Sequence, residues 1–180
     1  MNKTLLSAAL IACFSIAALA PQIAHAAPDG TITFTGKVVN QTCVFKVNGG
    51  GASNTVVLPV VFASALTTAG SVAGNTPFTI GVTGCDTNLT SVQALFSGLN
   101  IQPSGNLGGA GNPVNVQVQL LNGATPMNLS AATASAQSSP TGTLASGATT
   151  LSYAAQYIAV GGAAGTGLVN TSVAYTMTYQ

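Results

Sequence analysis

The period of the apolar pattern decides what this chain can fold into. Val114-Asn115-Val116-Gln117-Val118-Gln119-Leu120 puts an apolar side chain on every second residue. Thr31 to Thr35, Phe78 to Val82 and Val173 to Tyr179 do the same. A period of two is that of a half-buried strand, whose side chains alternate between faces, whereas a helix needs an apolar residue about every 3.6 positions. No stretch keeps the helical period for three turns, and Gly and Pro interrupt throughout. Thr55 to Phe62 is a continuous apolar run around Pro59, which predicts a buried strand with a bulge or switch. Leu151 to Val160 predicts a further strand rich in Tyr and Ile. Turn-rich stretches at 48–51, 103–106 and 108–113 separate these runs. Ala131 to Ser139 has the pattern of a helical turn weakened by its Ser and Thr. The expectation is a single all-β domain built as an antiparallel sandwich.

The first twenty-six residues read separately. Asn2-Lys3 is a short positive segment, Leu5 to Ala20 an apolar core, and Ala24-His25-Ala26 carries small residues where a signal peptidase reads them. Cleavage after Ala26 would leave 154 of the 180 residues. A membrane anchor fits less well, because the apolar core is short and lacks a stop-transfer flank. A lipoprotein leader at Leu10-Ile11-Ala12-Cys13 would cut that core in half. The expectation is export.

Beyond Ala26 only Asp29, Lys37, Lys46 and Asp86 are charged, so the formal net charge is zero. There is no Arg, Glu or Trp, and the single His is His25 in the leader. Soluble domains usually carry several times more charge, and near-zero net charge favours association. Two Lys and no Arg cannot build a phosphate-neutralising patch, so no nucleic-acid partner is expected. Disorder is disfavoured too, since disordered chains pair low hydrophobicity with high charge. Cys13 leaves with the leader, and Cys43 and Cys85 remain as an even pair in an oxidising compartment. A bridge closing about 42 residues would stabilise by roughly 4 kcal/mol in the loop-entropy treatment. The alternative is two buried thiols. No other Cys or His is left to complete a zinc site.

Gly30 to Val38 alternates without a break: Gly30, Ile32, Phe34, Gly36 and Val38 share one face, and Thr31, Thr33, Thr35 and Lys37 the other. On pattern alone this is equally an ordinary first strand or a strand meant for another chain. Gly36 in the middle of a bulky face suits a place where a facing wall comes close. The chain also ends on an alternating strand whose edge needs covering.

These residues resemble a known family. Gly30-Thr-Ile-Thr-Phe-Thr-Gly-Lys-Val-Val39, followed by Asn40-Gln41-Thr42-Cys43, is similar to the start of type 1 fimbrial major subunits of the chaperone–usher class. The likeness continues at Gly84-Cys85-Asp86-Thr87-Asn88, at Val114 to Asn122, at Leu151 to Gly161, and at Gly167 and the penultimate Tyr179. The low charge and the long Gly/Pro-rich stretch near Pro103 to Pro113 depart from the family's pattern. The resemblance implies an incomplete immunoglobulin-like sandwich lacking its last strand. A periplasmic chaperone would fill the gap first, and the N-terminal strand of the next copy would then replace it, with delivery through an outer-membrane usher. Carried over, residues 27–38 are the donor extension and 39–180 the pilin domain. Gly30, Ile32, Phe34, Gly36 and Val38 would form the donor face, and Cys43 and Cys85 the bridge. Gly167, Val173, Tyr175, Met177 and Tyr179 would form the groove and chaperone contacts. The product would be a head-to-tail cell-surface fimbria used in adhesion.

Catalysis has little to draw on. The acid–base side chains past Ala26 are two Asp, two Lys and four Tyr, and general acid–base work usually needs a group tuned near neutral pH. The Gly-rich stretch 108–111 lacks the strand-to-helix setting and the Lys of a phosphate loop. No enzyme activity, cofactor or metal is expected. The competing readings are a monomeric secreted binding module, whose first strand completes its own sheet, and a minor adaptor or tip subunit.

Overall fold

A computed structural model describes residues 32–36, 38 and 43–180. The expected signal peptide and donor residue Gly30 lie outside the described residues. The chain divides after Lys37, and the unit from Val38 to Gln180 is an all-β sandwich.

Of the alternating stretches, those at 78–82, 114–120 and 173–179 become strands over most of their length, as period-two patterning favours. β1 (Val44–Val47), β2 (Val72–Thr83), β3 (Ser91–Ser97) and β4 (Val116–Asn122) are followed by two short strands, β5 (Thr125–Pro126) and β6 (Gly142–Thr143). β7 (Thr149–Ala159) and β8 (Ala174–Tyr179) complete the set. They form a five-stranded sheet in the order β1-β2-β7-β4-β5 and a three-stranded sheet in the order β6-β3-β8, with all pairings antiparallel. β2 bulges between Ala73 and Thr76. Gly74 sits there at φ +72, where a Cβ would meet the Tyr157 ring at 3.0 Å, so only glycine fits both the backbone and the packing.

The main core lies between the sheets and includes Phe78, Ile80, Phe96, Leu120, Leu151 and Tyr153. Tyr153 stacks on Phe78 and meets Phe96 edge-on, both at 5.3 Å between ring centres. A second cluster of Val82, Cys85, Val92 and Leu144 closes the end of the sandwich that carries the Cys43–Cys85 disulfide. That bridge ties the start of β1 to the turn after β2, and the even cysteine pair is oxidised rather than present as two thiols.

Two expectations need correction. Thr55 to Phe62 is not a buried strand: it has no regular structure, and Val57, Val60 and Phe62 are largely exposed. Pro59 offers no N–H to a ladder, and only Val56 and Leu58 turn toward the core. The β4 strand starts at Val116 rather than Val114, because Asn115 takes a positive φ of 61° that ends the extended backbone. Ala131 to Ser139 contains the helical turn its sequence suggests, Gln137 N donating to Thr133 O at 2.9 Å, and goes no further into a helix.

Burial also sets the response to pH. Loss of water around its ring pushes the Tyr153 hydroxyl up to about 12, a hydrogen bond between it and the Ser139 hydroxyl acting the other way. An acid group whose folded-state value is raised keeps its proton better in the native state. Its contribution is therefore complete below about pH 10 and is lost as pH rises from there through 12. Two pH units correspond to roughly 2–3 kcal/mol. With no His or Glu beyond Ala26, unfolding midpoints in urea are expected to stay nearly flat from about pH 5 to 9 and fall above 10. Tyr153→Phe should remove most of the alkaline slope. A steep change near neutrality would contradict this account.

Candidate functional site: an open strand-shaped groove

Between residues 52–58 and β8 the sandwich is open. The opening is a groove of about 1080 Å³ whose floor is the core itself, including Ile80, Phe96 and Leu120. One wall is residues 169–177, running into β8, and the other is the irregular segment 52–58. Among the described residues, no charged one lines it.

The walls explain what the groove can hold. β8 pairs with β3 along one edge and ends the three-stranded sheet, so its other edge faces the opening. Its side chains alternate: Tyr175 and Met177 turn inward and are half-buried, while Ala174, Thr176 and Thr178 are exposed. Across the groove, residues 56–61 make no backbone hydrogen bond to any described residue. Unused backbone donors and acceptors therefore flank an apolar floor on both sides. Such groups normally find partners in a folded protein. The geometry is that of a sandwich with one strand's place left open. The two walls are tied at one point, where the Tyr175 hydroxyl donates to the Ala52 carbonyl at 2.7 Å. Partial burial raises the Tyr175 pKa above the ordinary tyrosine value.

Of the residues expected at the groove, Val173, Tyr175 and Met177 line it. Gly167 and Tyr179 lie elsewhere. Gly167 sits on the loop before the wall, with φ +151 and a Cβ direction that meets the Pro113 ring at 3.1 Å. Tyr179 packs into the second cluster at the disulfide end. Val56, Leu58 and Val169 also line the groove, and the sequence reading did not place them there. For Val56 and Leu58 the signal was present as an i, i+2 pair, hidden by the apolar residues between and after them.

Of the expected donor face, Ile32, Phe34 and Val38 are 80%, 89% and 101% exposed. Residues 32–36 have no regular structure and are not a strand of the sandwich. A Cβ added at Gly36 would meet nothing within 4 Å. Among the described residues no group of three or more His, Cys, Asp or Glu could hold a metal.

Known proteins with similar sequences and folds agree with this architecture. The family model described as "Fimbrial protein" matches residues 32–180. The F17 fimbrial protein of Escherichia coli is 42% identical over 92% of this chain and 95% of its own length. The major fimbrial subunit SMF-1 of Stenotrophomonas maltophilia is 39% identical over 91% and 99%. Among solved structures, the P pilus rod subunit PapA aligns over 77% of this chain and 99% of its own, at a TM-score of 0.60 and 20% identity. A subunit in the structure of a chaperone–usher pilus covers 87% of this chain and 100% of its own, at 0.59 and 21%. These two likenesses bear on the fold, which is that of pilus subunits. With a family match across nearly all of the sandwich and relatives near 40% identity, the chain belongs to the fimbrial protein family and is a structural subunit of a fimbria.

Proposed function

We propose that copies of this subunit join head to tail, residues 30–38 of one copy lying as an extended strand in the groove of the next. The observation that supports this is a match within one chain. A groove with an apolar floor and two unpaired backbone walls needs an alternating apolar strand. The same chain carries one whose apolar side chains, Ile32, Phe34 and Val38, are exposed. Strand addition of this kind takes affinity from main-chain hydrogen bonds and specificity from alternating side chains. Burying the three anchors contributes on the order of 5–9 kcal/mol before ordering costs. Gly36 lets the donor pass a narrow point, and Lys37 stays on the outer face.

An open groove is an aggregation hazard. A periplasmic chaperone holds it first, touching the Val173, Tyr175 and Met177 wall, with Gly167 and Tyr179 flanking it. An outer-membrane usher then exchanges the chaperone strand for the next subunit's, and the fibre serves adhesion at the cell surface. Residues 1–26 are the export signal, 27–38 the donor and 39–180 the pilin domain, with no catalytic role.

The test is periplasmic expression of the chain with and without residues 27–38, together with a pilus chaperone. Gel filtration and unheated SDS gels should show ladders for the intact chain and only a chaperone-bound species for the truncated one. Stable monomers of both without chaperone would replace this reading with a self-contained binding module.

A further inference from the structure

Past Ala26 the chain holds very little that a mild oxidant can attack. Trp and His are absent there, and the two cysteines, Cys43 and Cys85, are already joined to each other. Peroxides react with thiolates and thioethers. Two thioethers are left, Met127 and Met177. The fold treats them in opposite ways. Met127 is 2% exposed, sealed in the main core between the sheets. Met177 lines the groove and is only half-buried, packed where the two core clusters meet. Its backbone is held by pairing with Ala94 in β3, which keeps the residue at the groove wall. A thioether suits such a wall, being apolar, unbranched and adaptable to whatever packs on it. Unlike Val173 beside it, it can be made polar by a single two-electron reaction.

We propose that Met177 is an oxidation site that decides whether the groove can take a strand. The reagent is a two-electron oxygen donor of the hydroperoxide class. The Met177 sulfur attacks one oxygen of hydrogen peroxide, the O–O bond breaks, a sulfoxide forms and the other oxygen leaves as water. Sulfur loses two electrons and the peroxide gains them. The inference rests on the strand donation proposed above. In the open groove water reaches the new S–O group, so the free subunit tolerates it. A seated donor strand removes that water and presses apolar side chains such as Phe34 toward a strongly polar oxygen, whose burial without a partner is unfavourable. Sulfoxidation therefore opposes assembly, and a seated strand in turn shields the sulfur. Oxidised subunits are kept out of the fibre, and a fibre already built resists oxidation at this position. Reduction of the sulfoxide by methionine sulfoxide reductases lifts the block.

The test compares full-length subunit released from its chaperone with the assembled ladder. Each is exposed to hydrogen peroxide, and sulfoxide at positions 127 and 177 is followed by peptide mass mapping. In the free subunit Met177 should oxidise roughly tenfold faster than Met127 or more, and in the ladder its oxidation should slow by a similar factor. Peroxide-treated subunit should form ladders roughly tenfold more slowly than untreated subunit or worse, and both sulfoxide reductases together, one for each epimer, should restore the rate. Met177→Leu should assemble at one rate with or without peroxide, whatever that rate is. Equal oxidation of the two methionines, normal assembly of subunit carrying the Met177 sulfoxide, or peroxide sensitivity that persists in Met177→Leu would overturn the proposal and leave strand donation standing. The reductase arm needs no substitution, so it decides the question even where the variant folds poorly. Absence of ladders from untreated native subunit would remove strand donation and the oxidation site's role together.

Discussion

Phe34→Asp is expected to abolish fibre assembly while leaving the subunit's own stability unchanged. Phe34 is 89% exposed in the free subunit, and exposed substitutions away from special features usually move stability by no more than about 0.5 kcal/mol. In the groove the same side chain faces an apolar, uncharged floor. Losing the phenyl burial forfeits roughly 1.5–3 kcal/mol, and placing an unpaired carboxylate there adds several more. A total of at least about 5 kcal/mol lowers donor occupancy by more than three orders of magnitude. Thr33→Asp, one residue away on the outward face of the strand, should leave the ladder intact. The pair separates a register-specific insertion from a general intolerance of charge in the segment. Urea unfolding of chaperone-free subunit and ladder formation on unheated gels read the two halves. Equal loss in both variants would mean that the alternation of Gly30 to Val38 does not set which residues enter the groove.

The legibility of this fold tracks where the reading depends on local backbone and where it depends on a partner. Phe78 to Val82 lies wholly in a strand, and Leu151 to Val160 and Val173 to Tyr179 do so except for the end residues Val160 and Val173, because alternation against one packed face is a property of the segment itself. Thr55 to Phe62 misled for the same reason in reverse. Its composition is that of a buried strand, yet it borders an opening in the sandwich, so half of its side chains have nothing to pack against within this chain. A run too apolar for its exposure is what a surface completed by another molecule should look like, and only the structure reveals the exposure. Alternation near the chain's end showed that Val173, Tyr175 and Met177 share one face, and their place at a groove was what the family resemblance implied. The departure of Gly167 and Tyr179 from the groove was not legible. Gly167 follows the demands of a loop packed on Pro113, and Tyr179 those of the disulfide-end cluster. Buried amides were invisible altogether. Gln119 and Gln156 are paired to each other at 2.9 Å across neighbouring strands, and in sequence both read as outward-facing polar residues of alternating strands.

Gln137 is the extreme case and yields the second large expectation: Gln137→Leu should cost about 3–5 kcal/mol of folding stability. The side chain is fully buried, in a stretch whose Ser and Thr suggest a surface turn. Its Oε1 accepts from Phe96 N at 2.9 Å, and its Nε2 donates to the carbonyls of Phe96, Leu129 and Ala131 at 2.8–3.0 Å. One amide thus binds both backbone groups of Phe96 in β3 and fastens the 129–139 loop over them. Leucine has nearly the same volume, so little cavity is created. What is lost is the partner of a buried N–H and of several carbonyls, at roughly 1–3 kcal/mol for each group left unsatisfied. For a domain of this size that loss lowers the thermal midpoint by about 10 °C or more. Gln137→Glu, which keeps the acceptor but removes the donating amide and buries a charge, should be no milder at neutral pH and should recover partly on acidification. Because Phe96 also lines the groove floor, loosening this clamp loosens the surface onto which the donor strand docks. Gln137→Leu is therefore expected to weaken assembly as well as folding, whereas Phe34→Asp weakens assembly alone. Differential scanning calorimetry on the two variants, set beside their ladders, distinguishes a clamp that supports the groove from a loop that merely covers the core: in the latter case Gln137→Leu would melt early yet polymerise normally below its midpoint.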